Sequence, residues 1–106
     1  MPLADQQRAD LDKLVRSHQT VLFMKGNRRF PQCGFSAAVV GILDKLASPY
    51  ETVNILDNPS VREGMKEFSS WPTFPQLYVK GEFIGGSDIM MEMYQNGELQ
   101  QLCAAV

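Results

Sequence analysis

The chain has 106 residues, of which 44% are hydrophobic and 21% charged, and its formal net charge is −2. These values are typical of one soluble globular domain and not of a disordered chain. The negative charge argues against a nucleic-acid partner bound through overall basicity, and no apolar run approaches the roughly 20 residues that span a membrane.

The first half of the chain predicts two helices, two strands and one polar loop. Apolar residues at helical spacing predict helices over residues 5–17 and from Cys33 to about residue 48. A continuous apolar run over residues 20–24 predicts a buried strand, alternation over 50–55 predicts a second, and the polar residues 27–32 predict a loop. The second helix is expected to bury one stripe of residues: Phe35, Val39, Ile42, Leu43 and Leu46.

The second half predicts a helix, a hairpin and a last helix. Asn58 and Pro59 are typical of the N-cap and first position of a helix. Residues 75–84 predict a β-hairpin with its turn at residues 80–82, and the last helix follows the segment 85–88 and ends in a short amphipathic tail. The order α-β-α-β-α-β-β-α indicates an α/β domain whose four-stranded mixed sheet has helices on both faces.

The two cysteines, Cys33 and Cys103, could form a disulfide, be two inert thiols, or be one reactive thiol and one bystander. The domain needs no covalent cross-link, and the N-terminal residues resemble neither a secretory signal nor a transit peptide. We therefore expect free thiols in a reducing compartment, namely a bacterial-type cytoplasm or an organelle reached by a form that has since been processed.

Cys33 lies where the polar loop gives way to the second helix. Unpaired N–H groups and the helix dipole favour a thiolate there, and Lys25, Arg28 and Arg29 are expected to add to the effect. The alternative is a buried cysteine that acts as a small apolar side chain. Ser36 occupies the position at which a dithiol oxidoreductase has its second cysteine, so a mixed disulfide at Cys33 would need an external thiol to resolve it.

The run Cys33-Gly34-Phe35-Ser36 resembles the signature of the monothiol, C-G-F-S type glutaredoxins. The resemblance extends from about Thr20 to Leu102, and it implies a single thioredoxin-like domain over residues 1–106. Four further segments agree with the family in order and spacing: Met24-Lys25-Gly26, Pro31-Gln32, Trp71-Pro72-Thr73-Phe74-Pro75-Gln76 and Gly85-Gly86-Ser87-Asp88-Ile89.

The resemblance implies a glutathione site beside Cys33. Lys25 and Arg62 match family positions that hold the glycine carboxylate, which needs charged donors. Phe74–Pro75 matches a cis-proline corner that pairs with the cysteinyl backbone, and Ser87 and Asp88 match the positions that receive the γ-glutamyl end. The alternatives are solvated charges at Lys25 and Arg62, and a simple helix cap at Ser87 and Asp88.

The resemblance also implies a [2Fe–2S] cluster, which usually needs four thiolates. In the family a homodimer supplies them, which here means Cys33 from each subunit and two glutathione thiolates. Such a cluster is expected to be labile and suited to delivery to recipient apoproteins. A rival arrangement would use Cys33 and Cys103 of both chains, and a BolA-like protein could replace one subunit.

The second hypothesis is a glutathione-dependent oxidoreductase that removes glutathione from protein mixed disulfides through Cys33. In the family, an extended loop at residues 27–32 and the insertion at Trp71-Pro72 distinguish the poor reductases, so at most a weak enzyme is expected. Many members also have a cysteine where this chain has Ser87, and any redox regulation through that position is in doubt here.

Overall fold

The computed structural model describes residues 3–46 and 48–104. The helices and strands follow one another in the predicted order, with one additional helix at the C-terminal end. The helices are α1 Asp5–Val15, α2 Gly34–Leu46, α3 Pro59–Ser69, α4 Ser87–Asn96 and α5 Glu98–Cys103. The strands are β1 Thr20–Met24, β2 Glu51–Asn54, β3 Gln76–Val79 and β4 Glu82–Gly85.

The four strands form one mixed sheet in the order β2-β1-β3-β4. β1 runs parallel to β2, with Val21 opposite Glu51, and antiparallel to β3, with Val21 opposite Tyr78. β3 and β4 form the predicted antiparallel hairpin. The C-terminal ends of β1 and β4, which lead into α2 and α4, therefore lie at the same end of the sheet. The candidate site lies at this end.

Helices cover both faces of the sheet, as the sequence predicts. Because side chains alternate along a strand, Leu22 and Met24 of β1 face α2, α4 and α5, while Val21 and Phe23 face α1 and α3. All five residues of β1 are buried. This burial on both faces explains why the strand is a continuous apolar run in the sequence.

The boundaries of several elements differ from the prediction. α1 ends at Val15 and not at residue 17, β2 begins at Glu51, and β3 begins at Gln76. The predicted tail is a further helix, α5, because Gly97 takes a left-handed conformation (φ +87°) that ends α4 and lets the chain turn. α5 then packs Leu99 and Cys103 into the core.

The prediction that Phe35 belongs to the buried stripe of α2 is wrong, because Phe35 is 64% exposed. It occupies the second position of the helix, where it lines a cleft instead of packing on the sheet. Val39 and Leu43, further along the helix, are buried as predicted. None of the helices in the described part of the chain is long and apolar enough to span a lipid bilayer.

Candidate functional site

Cys33 is the residue immediately before α2, and it closes the first turn of that helix. The backbone N–H of Ala37 donates to the Cys33 carbonyl at 2.9 Å, which is the first hydrogen bond of the helix. Cys33 is therefore the N-cap residue, whose side chain ordinarily accepts from the free N–H groups of the second and third helical positions. These positions are Phe35 and Ser36, so the predicted location of the thiol is confirmed.

The surroundings of Cys33 favour its thiolate. Partial burial by itself would raise the pKa of the thiol, but several groups that stabilise the charged form outweigh it. In order of size these are the backbone N–H and the hydroxyl of Ser36, the backbone N–H of Phe35 and the charge of Lys25. The pKa of Cys33 is therefore lowered, and the group reacts or ligates as a thiolate more readily than a free cysteine.

Ser36 is fully buried at 0% exposure and links the thiol to the end of β1. Its hydroxyl oxygen accepts the backbone N–H of Lys25 at 3.2 Å, which leaves the hydroxyl proton free to be donated to Cys33. In the sequence, Ser36 is notable only because it occupies the position of the second cysteine of a dithiol oxidoreductase. In the structure, its hydroxyl stabilises the thiolate of Cys33 and so helps to lower the pKa of that thiol.

The loop between β1 and α2 is closed tightly. Gly26 and Pro31 form an isolated bridge, and the N–H of Gln32 donates to the Lys25 carbonyl at 2.8 Å. Gly26 has φ +87°, and a Cβ atom there would lie 2.5 Å from the Phe30 carbonyl oxygen, so only glycine fits. Phe30 belongs to this loop, lies close to Cys33 in the sequence and is 66% exposed.

Arg28 does not act on the thiolate, which corrects the expectation from sequence. Its guanidinium donates to the Asp44 carboxylate at 2.8 Å and stacks over the Tyr50 ring at 4.2 Å. The Tyr50 hydroxyl donates to the same carboxylate at 2.7 Å. Of the three cations proposed from sequence, Lys25 is the one that contributes to the lowered pKa of Cys33.

A cleft of about 300 Å³ opens beside Cys33. It brings together four of the five residues that the resemblance assigned to glutathione. It adds two residues that were not assigned to the site from sequence, Phe35 and Thr73. Its full lining is Lys25, Cys33, Phe35, Thr73, Phe74, Pro75, Ser87 and Asp88. Thr73 could have been suspected because it precedes Phe74, whereas Phe35 was assigned to the core.

Two connections contribute further residues to the lining of the cleft. The Phe74–Pro75 peptide bond is cis, as the resemblance implied. Ser87 and Asp88 are the first two residues of α4, and the N-cap is Gly86, which has no side-chain cap. The alternative interpretation of Ser87 as a capping residue is therefore wrong, and the unpaired N–H groups of this helix end remain available to a ligand.

Comparison with known proteins agrees with this geometry. The family model described as Glutaredoxin matches residues 20–84. A Synechocystis protein named as an uncharacterized monothiol glutaredoxin ycf64-like is 54% identical over 97 residues, with 92% of this chain and 91% of that protein covered. The chain belongs to the monothiol glutaredoxin family.

Two further relatives extend the comparison of this glutaredoxin. Monothiol glutaredoxin-S7, chloroplastic, from Oryza sativa subsp. japonica is 60% identical over 93% of this chain, which spans only 59% of the rice protein's length. The solution structure of reduced poplar apo GrxS14 has 62% sequence identity and a TM-score of 0.76, covering 89% of this chain and 86% of that one. The relatives include chloroplastic and cyanobacterial proteins, so the cytoplasmic location stays a prediction.

Arg62 is the predicted glutathione ligand that the glutaredoxin cleft does not include. It is half-buried on α3, and its Nε atom has no hydrogen-bond partner among the described residues. Its assignment to the glycine carboxylate therefore stays a prediction. Lys25, by contrast, lies in the cleft wall.

Cys103 is a free thiol, like Cys33, but it lies in the core. Burial raises the pKa of Cys103, and the neighbouring Thr20 hydroxyl only partly opposes this. Thr20 is the first residue of β1, whereas Cys33 follows the other end of that strand. Within residues 3–46 and 48–104, no three His, Cys, Asp or Glu side chains are grouped so that they could hold a metal ion.

Proposed function

We propose that this glutaredoxin binds glutathione in the cleft beside Cys33, and that two copies hold a [2Fe–2S] cluster as cargo for delivery to recipient apoproteins. The observation that carries the proposal is the arrangement of charge around the Cys33 thiol. Lys25 lies at the end of β1, while Ser87 and Asp88 begin the helix that follows β4. With β3 between them, the strands that these residues follow are two strand spacings apart, roughly 10 Å.

Glutathione matches this arrangement in charge. Its glycine carboxylate would meet Lys25, and its γ-glutamyl carboxylate would meet the free N–H groups at the start of α4. The γ-glutamyl ammonium would meet the Asp88 carboxylate. The peptide unit between them would lie along Phe74, and the glutathione thiol would then face Cys33.

The number of thiols supports the proposed cluster. Each chain offers one accessible thiolate, and a [2Fe–2S] cluster takes four thiolates, so two chains and two glutathione molecules complete the set. Half of the ligands would be exchangeable small molecules, which suits transfer better than permanent retention. The same count allows a heterodimer in which a BolA-like partner replaces one subunit and supplies its own ligands.

A glutathione-dependent oxidoreductase is the second candidate, favoured by the lowered pKa of the half-buried Cys33. The Cys33 thiolate would attack the glutathione sulfur of a protein mixed disulfide, so that the protein leaves as a thiolate and Cys33 becomes glutathionylated. A second glutathione thiolate would then attack this disulfide, releasing oxidised glutathione and regenerating the Cys33 thiolate. Because the buried residue at position 36 is serine, the second step depends on glutathione from solution.

The test is anaerobic reconstitution with iron, sulfide and glutathione, followed by visible absorption and measurement of molecular mass. The parent chain is expected to give a cluster spectrum in a dimer, dependent on glutathione. Cys33→Ser should give none, whereas Cys103→Ser is the matched control and should give the parent spectrum. Loss of the cluster in Cys103→Ser would support the rival ligand set, and rapid deglutathionylation without any cluster would support the oxidoreductase.

A further inference from the structure

Gln76 is a buried polar residue for which neither glutathione nor cluster binding provides an explanation. It is 0% exposed at the start of β3, opposite Phe23 in the sheet. The other residues of this strand, Leu77, Tyr78 and Val79, pack into the two apolar clusters. Burying a primary amide at such a position is unfavourable unless its hydrogen bonds are made, and the Gln76 Oε1 atom has no partner among the described residues. The contacts that its Nε2 atom does make therefore need a reason.

Both donors of the Gln76 amide are used on one segment of chain. Its Nε2 atom donates to the carbonyl oxygen of Trp71 at 3.1 Å and to that of Thr73 at 3.1 Å. These two carbonyls flank Pro72, in a segment that lies outside the helices and strands. The amide therefore supplies hydrogen bonds that regular secondary structure would otherwise provide.

Ser69 fixes the beginning of the same segment. Its hydroxyl donates to the Met65 carbonyl at 2.7 Å, and its oxygen accepts the N–H of Trp71 at 3.1 Å. The Trp71 ring packs against Phe83 with ring centroids 5.8 Å apart. The segment is thus attached to α3 at one end and to β3 through Gln76 at the other.

This segment lines two adjoining cavities. Thr73 and Phe74 line the cleft of about 300 Å³ beside Cys33. Trp71 and Thr73 line a second cavity of about 320 Å³ on the side of Ile89. Thr73 lines both cavities, together with Ser87 and Asp88 of α4, so a shift of Thr73 relative to the sheet would change the shape of both.

We infer that Gln76 is a positioning residue for the glutathione cleft: its buried amide holds Trp71 and Thr73 so that Phe74 meets the bound tripeptide. The inference rests on the proposed binding of glutathione. Gln76 itself does not line the cleft, and it acts through the backbone of the segment. Replacing it should therefore reduce glutathione affinity by more than the accompanying loss of domain stability would explain.

The first test replaces Gln76 with methionine, which has a similar length but no donors. The matched control is Val79→Ala, a buried change at the other end of β3 that leaves the Trp71–Thr73 segment untouched. Dissociation constants for reduced glutathione are measured anaerobically by NMR titration, alongside the melting temperature. Gln76→Met is expected to weaken binding about tenfold, because both donors to the segment are lost, whereas Val79→Ala should stay within about twofold.

A second variant, Gln76→Glu, gives a readout that a purely structural role would not change. A carboxylate cannot donate to the two carbonyls, but a protonated carboxyl can donate to one of them. Glutathione affinity of this variant should therefore recover between pH 7 and pH 5, while that of the parent and of Gln76→Met should not. This variant also serves if the methionine side chain prevents folding.

The outcomes separate this inference from the proposed function. If the parent chain does not bind glutathione, the proposed function is wrong. If the parent binds and both Gln76 variants bind equally well, or if Val79→Ala loses as much affinity at equal melting temperature, the positioning role is wrong and the amide serves stability alone.

Discussion

The two cysteines of this glutaredoxin occupy opposite kinds of helix end. Cys33 is the residue before α2 and is half-buried at the edge of a cleft, whereas Cys103 is the last residue of α5 and is only 2% exposed. The N-terminal end of α2, next to Cys33, has unpaired N–H groups, whereas the C-terminal end of α5, at Cys103, has unpaired carbonyl groups. The same side chain therefore meets donors in one place and an apolar core in the other.

The pKa values of the two thiols move in opposite directions for this reason. At Cys33, partial burial is outweighed by Ser36, Phe35 and Lys25, so the pKa is lowered. At Cys103, burial outweighs the nearby Thr20 hydroxyl, so the pKa is raised. Having a free thiol is thus not enough for chemistry, because the donors that surround the sulfur decide whether it is reactive.

The largest expected effect is a difference in alkylation between the two thiols. With iodoacetamide at pH 7, Cys33 should react at least about 100 times faster than Cys103, because it is accessible and its thiolate is favoured. Peptide mapping by mass spectrometry gives both rates in one sample. Comparable rates in the native protein, with the denatured protein as the reference, would contradict the contrast between the two sites.

The next effect concerns stability and pH at Cys103. Because the pKa of Cys103 is raised in the folded state, its thiol contributes fully to the free energy of unfolding below the unfolded pKa of about 8.5. This contribution is lost as pH rises from there through the folded pKa, by at most about 1.4 kcal/mol per pH unit. Cys103→Ser should cost about 1–2 kcal/mol at pH 7 and less at pH 9.5. Urea unfolding of parent and variant at both pH values measures the difference.

Cys33→Ser is the control for the sign of this effect. The pKa of Cys33 is lowered in the folded state, so its thiolate contributes to the free energy of unfolding above the pKa of the unfolded state. This contribution is lost as pH falls through the pKa of the folded state. The parent should therefore gain stability relative to Cys33→Ser as pH rises from 7. If both serine variants shift in the same direction, the two environments do not differ as described.

The smallest effect tests which neighbour lowers the pKa of Cys33. Ser36→Ala removes the hydroxyl donor, so the pKa of Cys33 should rise and its alkylation rate at pH 6 should fall about threefold, as expected for one weak hydrogen bond. Arg28→Gln is the matched control, since Arg28 pairs with Asp44 and should leave the rate unchanged. An equal effect of both variants would mean that the loop arginine acts on the thiolate after all.

Much of the fold could be predicted because its signals are local. The apolar run of β1, the Asn58–Pro59 start of α3 and the hairpin around Gly81 each depend on residues close in sequence. A short amphipathic tail after the last helix was also predicted, but the sequence did not show that this tail would form α5 and return to the core. That depends on contacts with distant residues, such as the side-chain amide of Gln19, just before β1, which donates to the Ala104 carbonyl, just after α5, at 3.0 Å across 85 positions.

Part of the candidate site could also be predicted from the sequence. The sequence placed Cys33 at a helix start, and the family resemblance selected Lys25, Phe74, Ser87 and Asp88, which the structure brings together around one cleft. Arg62 was selected on the same basis, but it lies outside this cleft. No pattern in the sequence indicated the buried contacts of Gln76, because its partners depend on how a loop folds over the end of β3.

The sequence by itself determined the order of the elements, the single thiol at a helix start and the family to which the chain belongs. The tertiary structure decided which groups act on that thiol. Arg28 is close to Cys33 in the sequence, but its guanidinium does not act on the thiolate, because Asp44 and Tyr50 hold it elsewhere. Periodicity and spacing indicate which residues are buried and which form turns. Hydrogen bonds and ion pairs between distant segments form only when the chain has folded.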